Sequence, residues 1–412
     1  MRAASNPAAL ALPRQWPVYD REAIRACADS IDDGRTFDYH HGEELAELER
    51  LFADRCARKY ALSFNSGTSA LFAAYFASGL RAGDEVLVPT YTFLATASPL
   101  LLLDAVPVLC DAGDATGNVT VETLAARLSE NTRAVVVTHL WGHPCDMSRI
   151  GQWATDNDLV LIEDCSHAHG ATWDGRPVGS FGHSAIFSVG AHKPVSGGLG
   201  GILVTDDPEV QSLATLLGHP NQRSRETIAR PDLRPLYDFG LGANLRMSPQ
   251  AAILAASHMR RLDDIVAVKT DNCERLLRGL EALPGIARVP QHRLATLGGR
   301  YGCHVSVDAE RLGCSRDALV AALDRRGLPA RAPATAPLHL TSAYSAHRPR
   351  AATAALGSLG RLDTHLAGDL PNSAGLYDSW LALPATRLHE PAHEFVHAYV
   401  AAAANAVADV AT

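Results

Sequence analysis

Apolar residues come in two rhythms along this chain. Up to about residue 250 they gather in short, near-continuous runs: YALSF, DEVLVP, VPVLC, RAVVVTHL, LVLIED, SAIFS and GGILVT. Between the runs lie stretches whose apolar positions recur three or four apart, such as ELAELERLFADRC and VETLAARLSE. Runs of that kind predict strands buried on both faces, and the intervening pattern predicts the helices that bury them. The chain therefore reads as an α/β protein with a mostly parallel sheet sandwiched by helices. Two amphipathic helices are expected ahead of the first run, over 20–34 with Gly34 as terminator and over 43–59. DEVLVPTYTFLATASPLLLL reads as strand, turn and helix.

From about residue 250 the rhythm changes. SPQAAILAASHMRRLDDIVAVKTDNCERLLRGLEAL reads as one long helix. Strand signals in RYGCHVSVDA, a helix in CSRDALVAALDRRG, a proline-rich loop and a C-terminal helix follow. This is the pattern of a smaller C-terminal α+β domain. The boundary is expected between 250 and 260, which divides the chain into a lead-in with a large domain over 1–255 and a small domain over 256–412. The opening MRAASNPAALALPRQWP is broken by Pro7 and Pro13 and lacks a basic start, so it reads as a lead-in and not as an export signal.

Composition narrows the function. The 412 residues carry a net charge of -8, which disfavours nucleic acid as the main partner, because phosphate backbones need a basic field. No apolar run reaches the roughly 18–20 residues that cross a bilayer, so no membrane association is expected. The eight cysteines show no C-x-x-C spacing and fall in apolar segments. They read as free thiols in a reducing, cytoplasmic setting, with no metal site. Lysine is scarce: of 37 basic residues only Lys59, Lys193 and Lys269 are Lys. Lys59 and Lys269 lie in charged helical patterns and are expected to face solvent. Lys193, in FSVGAHKPVSGGLGG, has no such surroundings.

Three segments at predicted strand ends could carry chemistry, where open α/β sheets place their ligands. In NSGTSAL, Gly67, Thr68 and Ser69 open a helix and offer free backbone N–H groups and hydroxyls to a phosphate. A plain helix N-cap accounts for the same residues. In EDCSHAHG, Asp164 ends a strand and needs solvent or a cationic partner such as a protonated pyridine nitrogen. A loop carboxylate capping a neighbouring helix is the alternative. His167 and His169 could line the same space as polar walls, or be structural. At Lys193, burial among apolar neighbours would free a neutral amine to attack a carbonyl; a surface loop lysine is the alternative, which the scarcity of lysine disfavours. Together, a phosphate turn, a strand-end Asp and an isolated Lys match pyridoxal phosphate: phosphate cradled, ring nitrogen paired, aldehyde held as a Schiff base.

With those residues in place, the chain resembles the DegT/DnrJ/EryC1/StrS aminotransferases. The likeness runs from about residue 15 to the C-terminus, through GEELAELERLFADRCARKYALSFNSGTSAL, GDEVLVPTYTFLATA, VVVTHLWGHPCDM, LIEDCSHAHGA, FSVGAHK, GANLRMSPQAAI and APLH. The resemblance implies a fold-type I pyridoxal-phosphate transferase. It gives Lys193 the Schiff base, Asp164 the pyridine nitrogen and His167 a place beside the ring. Phe93 would stack on the ring, and Thr68, Ser69 and Ser188 would hold the phosphate with the Gly67 turn. Asn244 would reach the phosphate of a partner subunit, with Arg246 supporting its loop, so the active site would be shared across a homodimer.

The implied reaction moves an amino group from glutamate or glutamine to a keto-sugar or keto-cyclitol, in biosynthesis of the antibiotic type. Two positions depart from the family pattern. Leu199 stands where an acid is common after the lysine, and Ala374 stands where LPNSAG usually ends in an acid. The alternatives are a non-transaminating reaction on the same cofactor, such as dehydration, elimination or ring formation, and a non-enzymatic regulator or scaffold. Members that dehydrate sugars carry His at the Lys193 position, which sets this chain apart from them.

Overall fold

The computed structural model describes residues 11–346, 363 and 365–410. The first ten residues of the lead-in fall outside them. Among the described residues thirteen strands follow in chain order: β1 (Tyr60–Phe64), β2 (Glu85–Pro89), β3 (Val106–Cys110), β4 (Thr132–Thr138), β5 (Val160–Asp164), β6 (Thr172–Trp173), β7 (Arg176–Pro177), β8 (Ser184–Ser188), β9 (Gly201–Thr205), β10 (Ile286–Arg288), β11 (Ala295–Thr296), β12 (His304–Val307) and β13 (Trp380–Ala382).

Seven of them form one sheet in the order β1-β9-β8-β5-β4-β2-β3. The pairs β2·β3, β2·β4, β4·β5 and β5·β8 are parallel. Only β9 runs against its neighbours β8 and β1. A parallel return from β8 to β9 needs a crossover of a dozen or more residues, usually with a helix. Residues 189–200 contain no helix, so β9 comes straight back as the second arm of a hairpin.

Helices bury both faces of this sheet, as near-continuous apolar strands require. The helix Gly67–Ala77 packs into one face with Phe64, Leu71, Tyr75, Val88 and Ile186. On the other side Glu43–Cys56 and Pro249–Arg260 pack with Phe52, Phe187, Ile202 and Ala255. A third cluster under Met147–Asp156 holds Val135, Ile150 and Leu161. Burying each large aliphatic or aromatic side chain of such a layer contributes about 1.5–3 kcal/mol.

A second sheet, β10-β12-β13, is antiparallel. The helices Leu262–Glu281, Arg316–Asp324 and His393–Val410 pack around it through Leu276, Leu280, Val305, Leu319 and Tyr399. Tyr91, Leu140, Trp141, Val289 and Trp380 form a bridging cluster between this unit and the large sheet.

Four expectations need correction. The helix read over 43–59 stops at Cys56, because Ala57 turns left-handed (φ 51°) and caps it. The helix expected in SPLLLL is only 3-10 turns, Leu94–Thr96 and Ser98–Leu103. The single long helix is two, Pro249–Arg260 and Leu262–Glu281, broken at Arg261. Lys59 is exposed as expected, but Lys269 is only 2% exposed. It lies in the apolar stripe Leu262, Ile265, Lys269, Cys273, Leu276, Leu280, whose three- and four-residue spacing points inward. The charged neighbours that made it look solvated occupy the other face.

Candidate active site

The C-terminal ends of β1, β2, β4, β5 and β8 open onto one cavity of about 310 Å³. Gly67, Thr68, Phe93, Asp164, His167, Ser188 and Lys193 all line it. Segments distant in sequence meet there because parallel strands deliver their C-terminal ends to one side of a sheet.

One end of the cavity is a helix N-terminus, a place suited to an anion. Ser66 caps the helix Gly67–Ala77, its Oγ accepting from the Ser69 amide at 3.0 Å. The N–H groups of Gly67 and Thr68 have no partner within the helix and carry the positive end of its dipole. Gly67 lies against Ser188, where a Cβ would come within 2.8 Å of the serine's own Cβ. Gly201, at the start of β9, lies equally close to Ser66, whose carbonyl a Cβ would overlap. Two glycines thus let the turn settle directly onto the β8–β9 hairpin. Thr68 is exposed to the cavity, but Ser69 is not part of its wall. The Ser69 hydroxyl donates to Asn65 Oδ1 at 2.6 Å and meets Ser66 Oγ at 2.8 Å, which makes it part of the cap.

The carboxylate comes from the end of β5. Strand alternation sends Glu163 and Asp164 to opposite faces. Glu163 is fully buried and accepts from the amides of Gly179, Phe181 and Gly182 and from His139 Nε2. Its oxygens are taken up by these bonds, which makes it a structural acid. Asp164 instead faces the cavity. Its Oδ2 accepts from Thr96 Oγ1 at 2.8 Å and its Oδ1 from the Ser166 amide at 3.1 Å. Thr96 continues to Thr92 (2.7 Å), and Thr92 to Thr138 (2.9 Å). This hydroxyl chain fixes the carboxylate's orientation.

Lys193 sits in the loop between β8 and β9. Its amide donates to Gly190 O at 3.0 Å, and its carbonyl accepts from Trp16 Nε1 at 2.7 Å. Removal from water pushes the amine from its ordinary 10.5 down to about 8, and the Asp164 charge partly opposes this. The amine lies 3.9 Å from the centroid of the Tyr301 ring. Tyr301 stacks on His167 at 4.3 Å, and Trp141 stacks on His167 at 5.1 Å. Burial, then the Lys193 charge, hold His167 well below its ordinary 6.5, so its ring is neutral. Phe93 stands at the mouth, 48% exposed, with Leu199 at 67%.

Several expected residues lie elsewhere. His169 packs behind the site against Phe52 and Phe187. Asn244 is exposed, outside the cavity of its own chain, and accepts from Arg246 Nη1 at 2.8 Å. Ala374 lines no part of the site; it lies on the helix Pro371–Ser379. Sequence reasoning missed Tyr301, Trp16 and the threonine chain. A signal for Tyr301 existed in GGRYGCH. Gly298 and Gly299 let the chain slip past His169 O and the Pro194 ring, which any Cβ there would overlap.

Comparison with known proteins extends the picture. The DegT/DnrJ/EryC1/StrS aminotransferase family model matches residues 18–359. The chain is 31% identical over 344 residues to GDP-perosamine synthase of Caulobacter vibrioides, covering 79% of this chain and 84% of that one. It is 34% identical over 275 residues to L-glutamine:scyllo-inosose aminotransferase of Streptomyces griseus, covering 65% of each. The solved structure of 3-amino-5-hydroxybenzoic acid synthase superposes with a TM-score of 0.81 at 27% identity, covering 97% of this chain and all of that one. An aminotransferase from Psychrobacter cryohalolentis superposes with a TM-score of 0.83 at 28% identity, over 97% of this chain and all of that one. With its fold-type I architecture and matching sequence, this chain belongs to the DegT/DnrJ/EryC1/StrS family and is an aminotransferase-family enzyme.

Proposed function

We propose that the protein is a pyridoxal-phosphate-dependent aminotransferase that moves an amino group from glutamate or glutamine to a keto-sugar or keto-cyclitol. One observation carries this reading: the Lys193 amine, the Asp164 carboxylate and the N-terminus of the helix Gly67–Ala77 converge on one cavity of about 310 Å³. Family membership implies the cofactor, and the donor set fits it. The Gly67 turn, Thr68 and Ser188 would hold its phosphate. Asp164, oriented by Thr96, would keep its ring nitrogen protonated. Phe93 and the neutral His167 would contact the ring. Bound there, pyridoxal phosphate supplies an electron sink for the substrate carbon that bears nitrogen.

Lys193 then has two tasks. It would hold the cofactor covalently between turnovers, and its Nζ would carry the proton on and off the reacting carbon. An amine held near pKa 8 serves both better than an ordinary lysine, since lowering it from 10.5 enlarges its neutral fraction near neutral pH several hundredfold, to roughly a tenth at pH 7. We place Asn244 at the phosphate of a partner subunit in a homodimer. Apolar rings border its loop: Arg246 lies over Tyr39 at 5.2 Å, Tyr39 meets Phe37 at 4.9 Å, and Phe239 is 82% exposed. The relatives' names span a nucleotide sugar and a cyclitol. They support an acceptor of that kind; biosynthesis of the antibiotic type, in the cytoplasm, is the setting we propose for it.

The test is spectroscopic. Purified protein loaded with pyridoxal phosphate should lose its Schiff-base absorbance when glutamate or glutamine is added, and a keto acceptor should restore it. No change with either donor would overturn the reading. Amine-free product formed from a nitrogen-labelled donor would point to dehydration or elimination instead.

A further inference from the structure

The loop that carries Lys193, residues 189–200, contains no helix or strand, and Gly190, Gly197, Gly198 and Gly200 loosen it further. A lysine side chain adds its own flexible stem. Such an amine reaches one place only if its backbone is held from outside the loop. Pro194 follows Lys193 and has no N–H. The peptide plane after Lys193 therefore has a single hydrogen-bonding group, the Lys193 carbonyl. Among the described residues its donor is Trp16 Nε1, at 2.7 Å and 177 positions away in the chain.

Trp16 belongs to a strap, residues 13–19, that holds the loop at a second point. Ser196 Oγ donates to Ala191 O and accepts from the Gly198 amide, each at 3.2 Å. Its hydrogen is thus spent, so Tyr19 Oη is the donor in their contact at 3.2 Å. His258, on the helix Pro249–Arg260, bridges strap and loop. Its Nδ1 accepts from the Ser196 amide at 3.2 Å, and its Nε2 donates to Val18 O at 3.0 Å. Burial pushes His258 to about 4, and a neutral ring has the one acceptor and one donor this bridge needs. The strap is itself anchored. Trp16 is 4% exposed, with the His258 ring at 4.3 Å and the His389 ring at 5.3 Å. Its amide donates to Thr386 O at 2.8 Å, and Pro13 O accepts from Arg387 Nη1 at 2.7 Å.

We propose that Trp16 is a positioning residue for the reacting lysine: its indole N–H fixes the peptide plane after Lys193, and with it the place that Nζ reaches. The word reacting rests on the transamination reading; the hold on the loop does not. Trp16 lines no part of the active-site cavity, so it acts through the Lys193 backbone. A displacement of the amine by about 1 Å is enough to cost on the order of a hundredfold in rate.

Two variants remove the N–H. Trp16→Phe keeps one ring, and 3-benzothienylalanine at position 16 keeps both, with sulfur in place of the N–H. Should Trp16→Phe fail to fold, the isostere carries the test. Hydrogen exchange of the cofactor-free protein is the first measurement. The Lys193 and Gly197 amides should exchange roughly tenfold faster in the variant, while amides of β8 and β9 keep their wild-type rates. With pyridoxal phosphate loaded, kcat should fall roughly tenfold to a hundredfold. Half-saturation for the amino donor should stay within about twofold. Circular dichroism of the cofactor's absorption band should weaken as the lysine's hold becomes less uniform. Loop exchange or kcat at the wild-type value in the isostere variant overturns the proposal. Faster exchange throughout the sheet, with activity lost only in proportion to folded protein, overturns it too, since that is the mark of a merely structural tryptophan. Should wild type itself give no spectral response to amino donors, faster exchange confined to the loop would sustain the hold on Lys193 while the transamination reading falls.

Discussion

Lys193 and Lys269 look alike by the measure most often used to find active lysines. Burial pushes both from an ordinary 10.5 to about 8. Their surroundings differ. Lys193 sits on a sheet-end loop, opens into a cavity, and has Asp164 as the charge that opposes the shift. Lys269 sits inside the stripe of the helix Leu262–Glu281, beside Cys273 and Cys303, and does not line that cavity. A depressed amine pKa measures only removal from water. What singles out Lys193 is an opening for a ligand, shared with the helix N-terminus at Gly67 and Thr68.

Substitution should separate the two lysines widely. Lys193→Ala should lower amine transfer on the order of 10²–10⁴-fold and abolish the Schiff-base absorbance. Lys269→Met should leave both near wild type. Equal losses in turnover and absorbance would erase the distinction.

Stability should reverse the order. Each amine is protonated more readily in the unfolded chain than in the folded one, so the unfolded state binds more protons between about pH 8 and 10.5. Stability should therefore rise with pH across that window, and the cost of burying the charge should be fully present below pH 8. Lys269→Met, close to it in volume, should gain roughly 1–3 kcal/mol at pH 7 in a denaturant melt. That gain should fade toward pH 10.5, and a gain independent of pH would show that packing, not charge, is responsible.

The smallest contrast lies within the phosphate turn. Thr68→Val should weaken cofactor retention measured by dialysis, since Thr68 faces the cavity. Ser69→Ala should change retention little, since its hydroxyl is spent on Asn65 and Ser66. Its effect should appear in melting, at about 1 kcal/mol or less for a lost capping bond.

The strands were readable because burial on both faces writes an uninterrupted apolar run, as in VLIED and GILVT. Direction was not, because a run has no polarity; the short link 189–200 makes β9 antiparallel. The break at Arg261 was invisible for a related reason. No glycine or proline marks it, and two apolar stripes with different partners join there with little change of pattern. Lys269 was misread because charge density along a segment says nothing about which face a residue takes. In the site, Lys193 and Asp164 stood out as residues whose chemistry clashed with their neighbours. Tyr301 did not, because an aromatic in a strand-like segment is ordinary, and only the surrounding glycines hinted at a close approach. Trp16 pins Lys193 through a backbone carbonyl, a contact that leaves no trace in local pattern.

The two glycine contacts of the phosphate turn set a length as well as a fit. Gly67 rests on Ser188, and Gly201 rests on Ser66, so the turn is clamped to the same hairpin whose loop carries Lys193. Anchor and amine are thus mounted on one rigid piece, and the interval between them is fixed by backbone against backbone. The hairpin works as a gauge: a ligand held at both ends must span that interval. A methyl group added at either glycine would respace the gauge without touching a single reactive atom.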